Sequence, residues 1–570
     1  MSHLEGKSPD ERRAALFTKH GYTLQKKLGQ GVSDVAFLVN NLEEDLYVIK
    51  EINCRYESSD TVKKEVDIIK HLNHAYIVDY EDSFEDREAG LFYIVMEYCA
   101  EGDLNKRMQT QRGNGFKEEQ IHDWFVQICL ALKYLHEKNI LHRDIKPQNV
   151  FLTEYGYINL RCLIALERAD QYTNSGVGAE LYDSPEVFKG RYASKSDIWS
   201  LGWLLHDLCM LDVWSDILER RFLHAISMRG TPPDISEKYS EELRELIKEM
   251  LSCDPNERPS VDDILAKPFL NDSVKKYKKI PEALEQKFMK SIRAFDQAYN
   301  KHYIELEILV SEWAKATDSL EDIHYKATAG SLSGGVIGAA GGITAVVGAI
   351  LAPFTLGASL IVTGVGVGVG VAGGLTGAAS NITNTVKQKS LRESLEKIEQ
   401  TYKNASAPIL NSLKTLKQLM KKIAKFCVFV SASTLDNAQM AWRVGRSTVS
   451  CVTEIMHICL LANIGRIGAQ AAKIGRAAAA ASGVLSGILI IADVAFIVKD
   501  SMEIHEMRNT KTTNDPEQFK SSVLRSIAQM RKTHQELCNV LDEIKNTREE
   551  LKEYIEKAGT NTWTHDSADT

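Results

Sequence analysis

Leu141-His142-Arg143-Asp144-Ile145-Lys146-Pro147-Gln148-Asn149 sets a carboxylate, an ammonium and a carboxamide close together in one short stretch. Phosphoryl transfer needs a carboxylate to orient the incoming hydroxyl, a cation near the γ-phosphate and an amide oxygen on Mg²⁺. Asp144, Lys146 and Asn149 supply those roles at the spacing of a phosphotransfer catalytic loop. Upstream, Tyr47-Val48-Ile49-Lys50 closes a strand-like run, the setting for a lysine that meets the α- and β-phosphates. Glu65 falls in the helical stretch Lys63 to Leu72, placed to pair with Lys50. Gly29-Gln30-Gly31, earlier still, is a glycine-rich turn that would be weak evidence alone. Four such elements in this order make chance agreement negligible.

Downstream, Ser184-Pro185-Glu186 stands where an Ala-Pro-Glu motif belongs, with Arg258 as the expected buried partner of Glu186. Asp197, in Ser196-Asp197-Ile198-Trp199-Ser200-Leu201-Gly202, is expected to anchor the catalytic-loop backbone. Met96 is the expected gatekeeper, and Glu97 to Cys99 the adenine-binding hinge. The wording YVIKEIN, DWFVQICLALKYLH and HRDIKPQNVFLT resembles the NIMA-related (Nek) serine/threonine kinases across residues 22–270. That resemblance implies a bilobal α+β protein-kinase fold, ATP and Mg²⁺ as cofactors, and a protein substrate or docking partner. It implies Asp144 and Lys146 as catalytic residues and Asn149 as a metal ligand. It places Gly29, Gly31, Lys50, Glu65, Met96, Glu97 and Cys99 around ATP.

Three departures bear on activity. Asp34 occupies the position of the third glycine in the glycine-rich loop, where an added carboxylate is unfavourable for phosphate. The Asp-Phe-Gly motif is absent: Ile158-Asn159-Leu160 runs into Arg161-Cys162-Leu163-Ile164-Ala165-Leu166, and no aspartate lies between Asp144 and Asp170. Asn149 is then the only motif ligand left for Mg²⁺, and weakening that ion costs several kcal/mol of barrier. Gly178-Ala179-Glu180 also replaces Gly-Thr-Pro, removing the hydroxyl that meets the catalytic aspartate. Two readings stay open. One is a pseudokinase that keeps the fold and loses efficient transfer. The other is an active ATP-dependent serine/threonine kinase tethered to membranes, the break after Leu160 being a short deletion, a splice variant or a gene-model fault.

The remainder of the chain has a different character. Across all 570 residues, 44% are hydrophobic and 26% charged, which excludes a mainly disordered chain. A net charge of −8 gives no basic excess for nucleic acid, and none is expected as a partner. Ten cysteines without a C-x-x-C pair make neither a disulfide framework nor a zinc site. The polar N-terminal segment, residues 1–21, has no signal-peptide core, so the kinase-like part is expected in the cytosol.

From Ala327 to Val386 there is no Asp, Glu, Lys, Arg or His, and this window holds 15 of the 36 glycines. It offers two stretches of about 20 residues, enough to cross a hydrocarbon core, with Ala352-Pro353-Phe354 as the turn of a helical hairpin. Gly334, Gly338 and Gly342, then Gly366, Gly370 and Gly374, set small faces that let helices approach in lipid. The Val365 to Gly370 alternation also suits a strand, and such a hairpin can hide in a soluble bundle. The stretch Lys387 to Phe426 carries ten basic residues against three Glu, suited to anionic lipid headgroups or to a solvated basic helix. Asp493 is the lone acid of the apolar run 477–498. It reads either as a carboxyl whose protonation eases membrane insertion or as a salt-bridged residue of a soluble bundle. Val523, Ile527, Met530, Leu537, Leu541, Ile544, Leu551 and Ile555 follow a seven-residue period interrupted by His534 and Arg548. A coiled coil between chains and a buried helix of one chain both explain it.

Leu351-Ala352-Pro353-Phe354-Thr355-Leu356-Gly357, with Ala492-Asp493-Val494-Ala495-Phe496-Ile497-Val498, resembles the apolipoprotein L family over roughly 300–560. This resemblance implies an all-α region with lipid association, helical membrane insertion and, for some members, pH-sensitive conductance. Intracellular membranes are the expected setting. The expected domains are 22–270 (kinase-like), 271–326 (helical linker), 327–386 (glycine-rich uncharged hairpin of membrane type) and 387–570 (basic and amphipathic helices). A soluble lipid-binding scaffold is the third functional reading.

Overall fold

The computed structural model describes residues 9–30, 35–41, 45–54, 59–162, 179–331, 401, 404–409, 411–426 and 522–557. The chain divides into two compact units, Met1–Glu285 with Lys422–Gly445, and Gln286–Lys421 with Arg446–Thr570. The apolar hairpin expected from residue 332 onward and the run holding Asp493 lie outside the described residues. Among the described residues no helix is long and apolar enough to cross a membrane.

The first unit has two lobes. Its N-terminal lobe is a five-stranded antiparallel sheet ordered β1-β2-β3-β5-β4. The strands are β1 (Tyr22–Gln30), β2 (Val35–Asn41), β3 (Leu46–Asn53), β4 (Tyr80–Asp86) and β5 (Leu91–Glu97). Side chains alternate between the two faces of a strand, and both faces here are covered. Ile49, Tyr93 and Val95 face a cluster with Phe17 and Phe84, whereas Ile52, Phe92, Ile94 and Met96 face Val62, Val66 and Ile69. Phe17 belongs to helix α1 (Pro9–Lys19), so the polar N-terminal segment contains a helix seated on the sheet. Arg13 of α1 holds Glu51 at 2.6 and 2.9 Å. Val62, Val66 and Ile69 belong to helix α2 (Ser59–Ile69) on the other face.

The C-terminal lobe is helical around α4 (Glu118–Glu137) and α5 (Ser194–Cys209), preceded by α3 (Leu104–Thr110). Helix α4 is buried on most sides, as its Ile, Leu, Trp and Phe content dictates. A two-stranded ribbon, β6 (Val150–Leu152) with β7 (Ile158–Leu160), pairs Val150 with Leu160. That register brings residue 149 beside residue 161. Short helices α6 (Leu211–Ser215), α7 (Ile217–Ser227), α8 (Glu241–Met250) and α9 (Val261–Leu265) complete the lobe. Helix α10 (Asn271–Tyr277) packs on α4, where Lys276 and Ser273 bind Asp123 at 2.7 and 3.1 Å.

In the second unit, the long helix α11 (Glu282–Ser331) packs on α12 (Ser522–Lys557). The seven-residue period is an in-chain seam: its members Ile527, Met530, Leu537, Leu541 and Ile544 are buried. Arg548, an exception to the period, reaches Asp296 at 2.7 Å and Asn300 at 2.6 Å and covers the Tyr299 ring.

Candidate functional site

Gly29 lies near the end of β1, opposite Ala36, while Gly31 and Asp34 lie outside the described residues. Lys50 stands mid-strand on β3, opposite Ile94 and Ala36, and is 2% exposed. The period of two puts it on the face of Ile52, the face that α2 covers and on which Glu65 is carried. Met96 is buried at the end of β5 and Glu97 follows, its N–H donating to Asp79 O at 3.0 Å. The Cys99 thiol is pushed up to about 12, by desolvation first and by the Glu97 carboxylate second.

The catalytic loop is fixed from behind by one carboxylate. Asp197, on α5, is fully buried and accepts from His142 N at 3.0 Å, Arg143 N at 2.8 Å and Tyr192 Oη at 2.9 Å. His136 Nε2 lies 2.8 Å from the same carboxylate. Burial alone would raise its pKa, but the His136 hydrogen bond and neighbouring charge hold it below the usual range. Arg143 has φ 64, a left-handed conformation costly for a side chain this large. The two backbone N–H bonds to Asp197 offset that cost.

The loop's front side is closed on itself. Lys146 Nζ lies 2.8 Å from Asp144 Oδ2, and Asn149 Nδ2 donates to Asp144 Oδ2 and to its backbone oxygen at 2.7 Å each. Desolvation opposes ionisation of Asp144, yet Lys146 and Asn149 outweigh it and keep the carboxyl below its ordinary pKa. Arg161, the first residue after β7, donates from Nη2 to Asn149 Oδ1 at 2.6 Å and from its backbone N to Asn149 O at 2.8 Å. Its own carbonyl lies 2.9 Å from His142 Nε2. Cys162 follows, buried, its thiol pushed up by desolvation.

Below the loop, Arg258 forks onto Glu186 at 2.6 and 2.9 Å, and Ser196 Oγ adds a third bond at 2.8 Å. Burial works against the Glu186 charge, but Arg258 and Ser196 bring its pKa down to about 2.

Two features escaped sequence reasoning. Position 161 read only as a missing motif, although an arginine directly after a strand whose last residue pairs with residue 150 was the available signal. The second is the helical segment 411–426, whose end packs on the kinase-like lobes. Lys422 pairs with Glu97, and Lys425 Nζ lies 2.5 Å from Asp79. Phe426 wedges between Tyr76 and Tyr157, ring centroids 5.5 and 5.1 Å away at near-perpendicular angles. Two cations of the basic stretch therefore face protein carboxylates rather than lipid.

Residues 22–270 match the protein kinase domain, and residues 267–546 match apolipoprotein L. Among curated relatives, serine/threonine-protein kinase Nek1 of Mus musculus is 39% identical over 283 residues, covering 48% of this chain and 23% of that protein. Serine/threonine-protein kinase Nek5 of Homo sapiens is 38% identical over 278 residues, covering 47% and 39% respectively. Serine/threonine-protein kinase Nek4 of Mus musculus is 38% identical over 261 residues, covering 44% and 33%. The chain thus spans well under half the length of these relatives.

Proposed function

With residues 22–270 a Nek-like protein kinase domain and residues 267–546 an apolipoprotein L region, we propose that the chain is a pseudokinase-type regulator. Its kinase fold keeps nucleotide binding, transfers phosphate poorly, and is coupled to a region that binds lipid or inserts into membrane. The observation that carries this is the Arg161 guanidinium on Asn149 Oδ1, beside a neutral Cys162 thiol. Mg²⁺ takes hard oxygen ligands in near-octahedral geometry, and this donor set does not suit it. When bound in a kinase, Mg²⁺ neutralises and orients the β- and γ-phosphates. Here Asp144 and Lys146 are turned to one another, so a substrate hydroxyl meets a carboxylate already paired. The docking of Lys422, Lys425 and Phe426 beside Glu97 supports the coupling, because a change at residues 422–426 would be felt where adenine is expected to bind.

An autophosphorylation assay of the full chain with ATP and MgCl₂, beside Asp144→Asn, tests this. Equal background from both is expected. Signal from the wild type that Asp144→Asn abolishes would establish the active-kinase reading, which the intact Asp197 anchoring favours. Flotation with vesicles of phosphatidylserine and phosphatidylcholine, against phosphatidylcholine alone, tests lipid binding. Absence of the full chain from both floated fractions would remove the lipid role.

A further inference from the structure

Asn149 has its polar atoms committed. Both amide hydrogens go to Asp144, and Oδ1 accepts from Arg161 Nη2 at 2.6 Å. The backbone locks this arrangement, since Arg161 N donates to Asn149 O at 2.8 Å and Arg161 O meets His142 Nε2 at 2.9 Å. A positive charge therefore stands on the amide oxygen from which the family hangs its metal. A divalent cation arriving there would meet electrostatic repulsion, and the residue after Arg161, Cys162, is a buried soft thiol and not a hard oxygen ligand.

A guanidinium is itself a phosphate ligand: planar, always charged, with donors in a fork that matches phosphate oxygens. The balance of nearby charge also permits an anion without a metal. Within the loop, Lys146 at 2.8 Å already neutralises Asp144, so that carboxylate adds no net repulsion for a phosphate. We propose that the cleft binds a nucleoside triphosphate without a divalent cation, Arg161 making the phosphate contact that the metal would otherwise make. This deepens the nucleotide-binding reading above and rests on it.

Calorimetric titration of the full chain with ATP, in MgCl₂ and separately in EDTA, tests the proposal, with adenosine as a phosphate-free probe. The expected result is an ATP affinity equal within about twofold in the two buffers. Arg161→Met should weaken ATP about tenfold in EDTA while leaving adenosine unchanged, the loss expected of one charge-assisted contact. Arg161→Lys, which keeps the charge and loses the fork, should fall between, and guards against a methionine variant that fails to fold. An affinity for ATP at least tenfold weaker in EDTA than in MgCl₂ would overturn the proposal. So would Arg161→Met binding ATP as the wild type does. Failure of both ATP and adenosine to bind in either buffer would instead overturn the nucleotide-binding reading, and this proposal with it.

Discussion

The two sides of the catalytic loop are built on opposite principles. Behind it, Asp197 gathers backbone N–H groups of His142 and Arg143 with the side chains of His136 and Tyr192, so its charge fixes a backbone. In front, Lys146 neutralises Asp144, and Asn149 bonds both Asp144 and Arg161, so these side chains hold one another in place. The rear carries the load of a left-handed Arg143 and the front is where chemistry would occur. On the reading proposed above, the fold keeps the frame of a phosphotransfer site while the reactive face is altered. The frame is held by burial and pays no penalty for altered chemistry.

If that division is right, damage to the rear should cost most. Asp197→Ala leaves two buried N–H groups and an imidazole without their acceptor. Removing one partner from such a buried network costs about 3–5 kcal/mol. Calorimetry of the full chain should show the kinase-domain transition moved down by several degrees. A loss below about 1 kcal/mol would mean that the loop is held by other contacts and would dissolve the comparison.

A third surface, beside Glu97, ranks next. Phe426 is 1% exposed against Tyr76 and Tyr157, and Phe426→Ala should cost about 3 kcal/mol through the cavity it leaves. Faster amide exchange over Tyr76 to Asp79 is the accompanying readout. Unchanged exchange there would show that residues 422–426 lend the kinase-like lobes nothing.

Acid should act on the frame through Glu186. Its pKa is about 2 in the folded protein against an ordinary value near 4.5, so the folded value is the depressed one. The contribution is then fully present above about pH 4.5 and is lost as pH falls towards 2, at most about 3 kcal/mol and less once solvent screening of this half-buried pair is counted. The gap in melting temperature between wild type and Glu186→Gln should shrink across that window. A gap constant with pH would detach the Arg258 pair from acid stability.

What could be read from sequence followed how local each feature is. Asp144, Lys146 and Asn149 share one loop and were read from their spacing, and Glu186 and Asp197 stand in short stretches whose likeness to kinase motifs gave their expected roles. The Arg161 contact did not, because it exists only once Val150 pairs with Leu160 and carries residue 161 back to residue 149. Helical periodicity gave the α12 seam, yet Arg548 read as a fault in it. Its partner Asp296 lies on another helix, 252 residues away. The Lys422 and Phe426 contacts were hidden for the same reason: a basic stretch announces its charge and not which carboxylates will meet it.

The front of the loop should be the most tolerant. Arg161→Met removes a charge-assisted hydrogen bond to Asn149 but leaves its backbone bonds to Asn149 and His142 in place. Hydrogen bonds to charged groups are worth about 1.5–3 kcal/mol, and Asn149, itself buried, keeps both side-chain N–H bonds to Asp144. The expected loss is therefore at the low end, about 1.5 kcal/mol, seen as a small shift of the same calorimetric transition that Asp197→Ala moves far. Were Arg161→Met to cost as much as Asp197→Ala, Arg161 would belong to the frame. Its bond to Asn149 would then be a structural strut, and the separation between a retained scaffold and a rewritten reactive face would fail at the residue on which it turns.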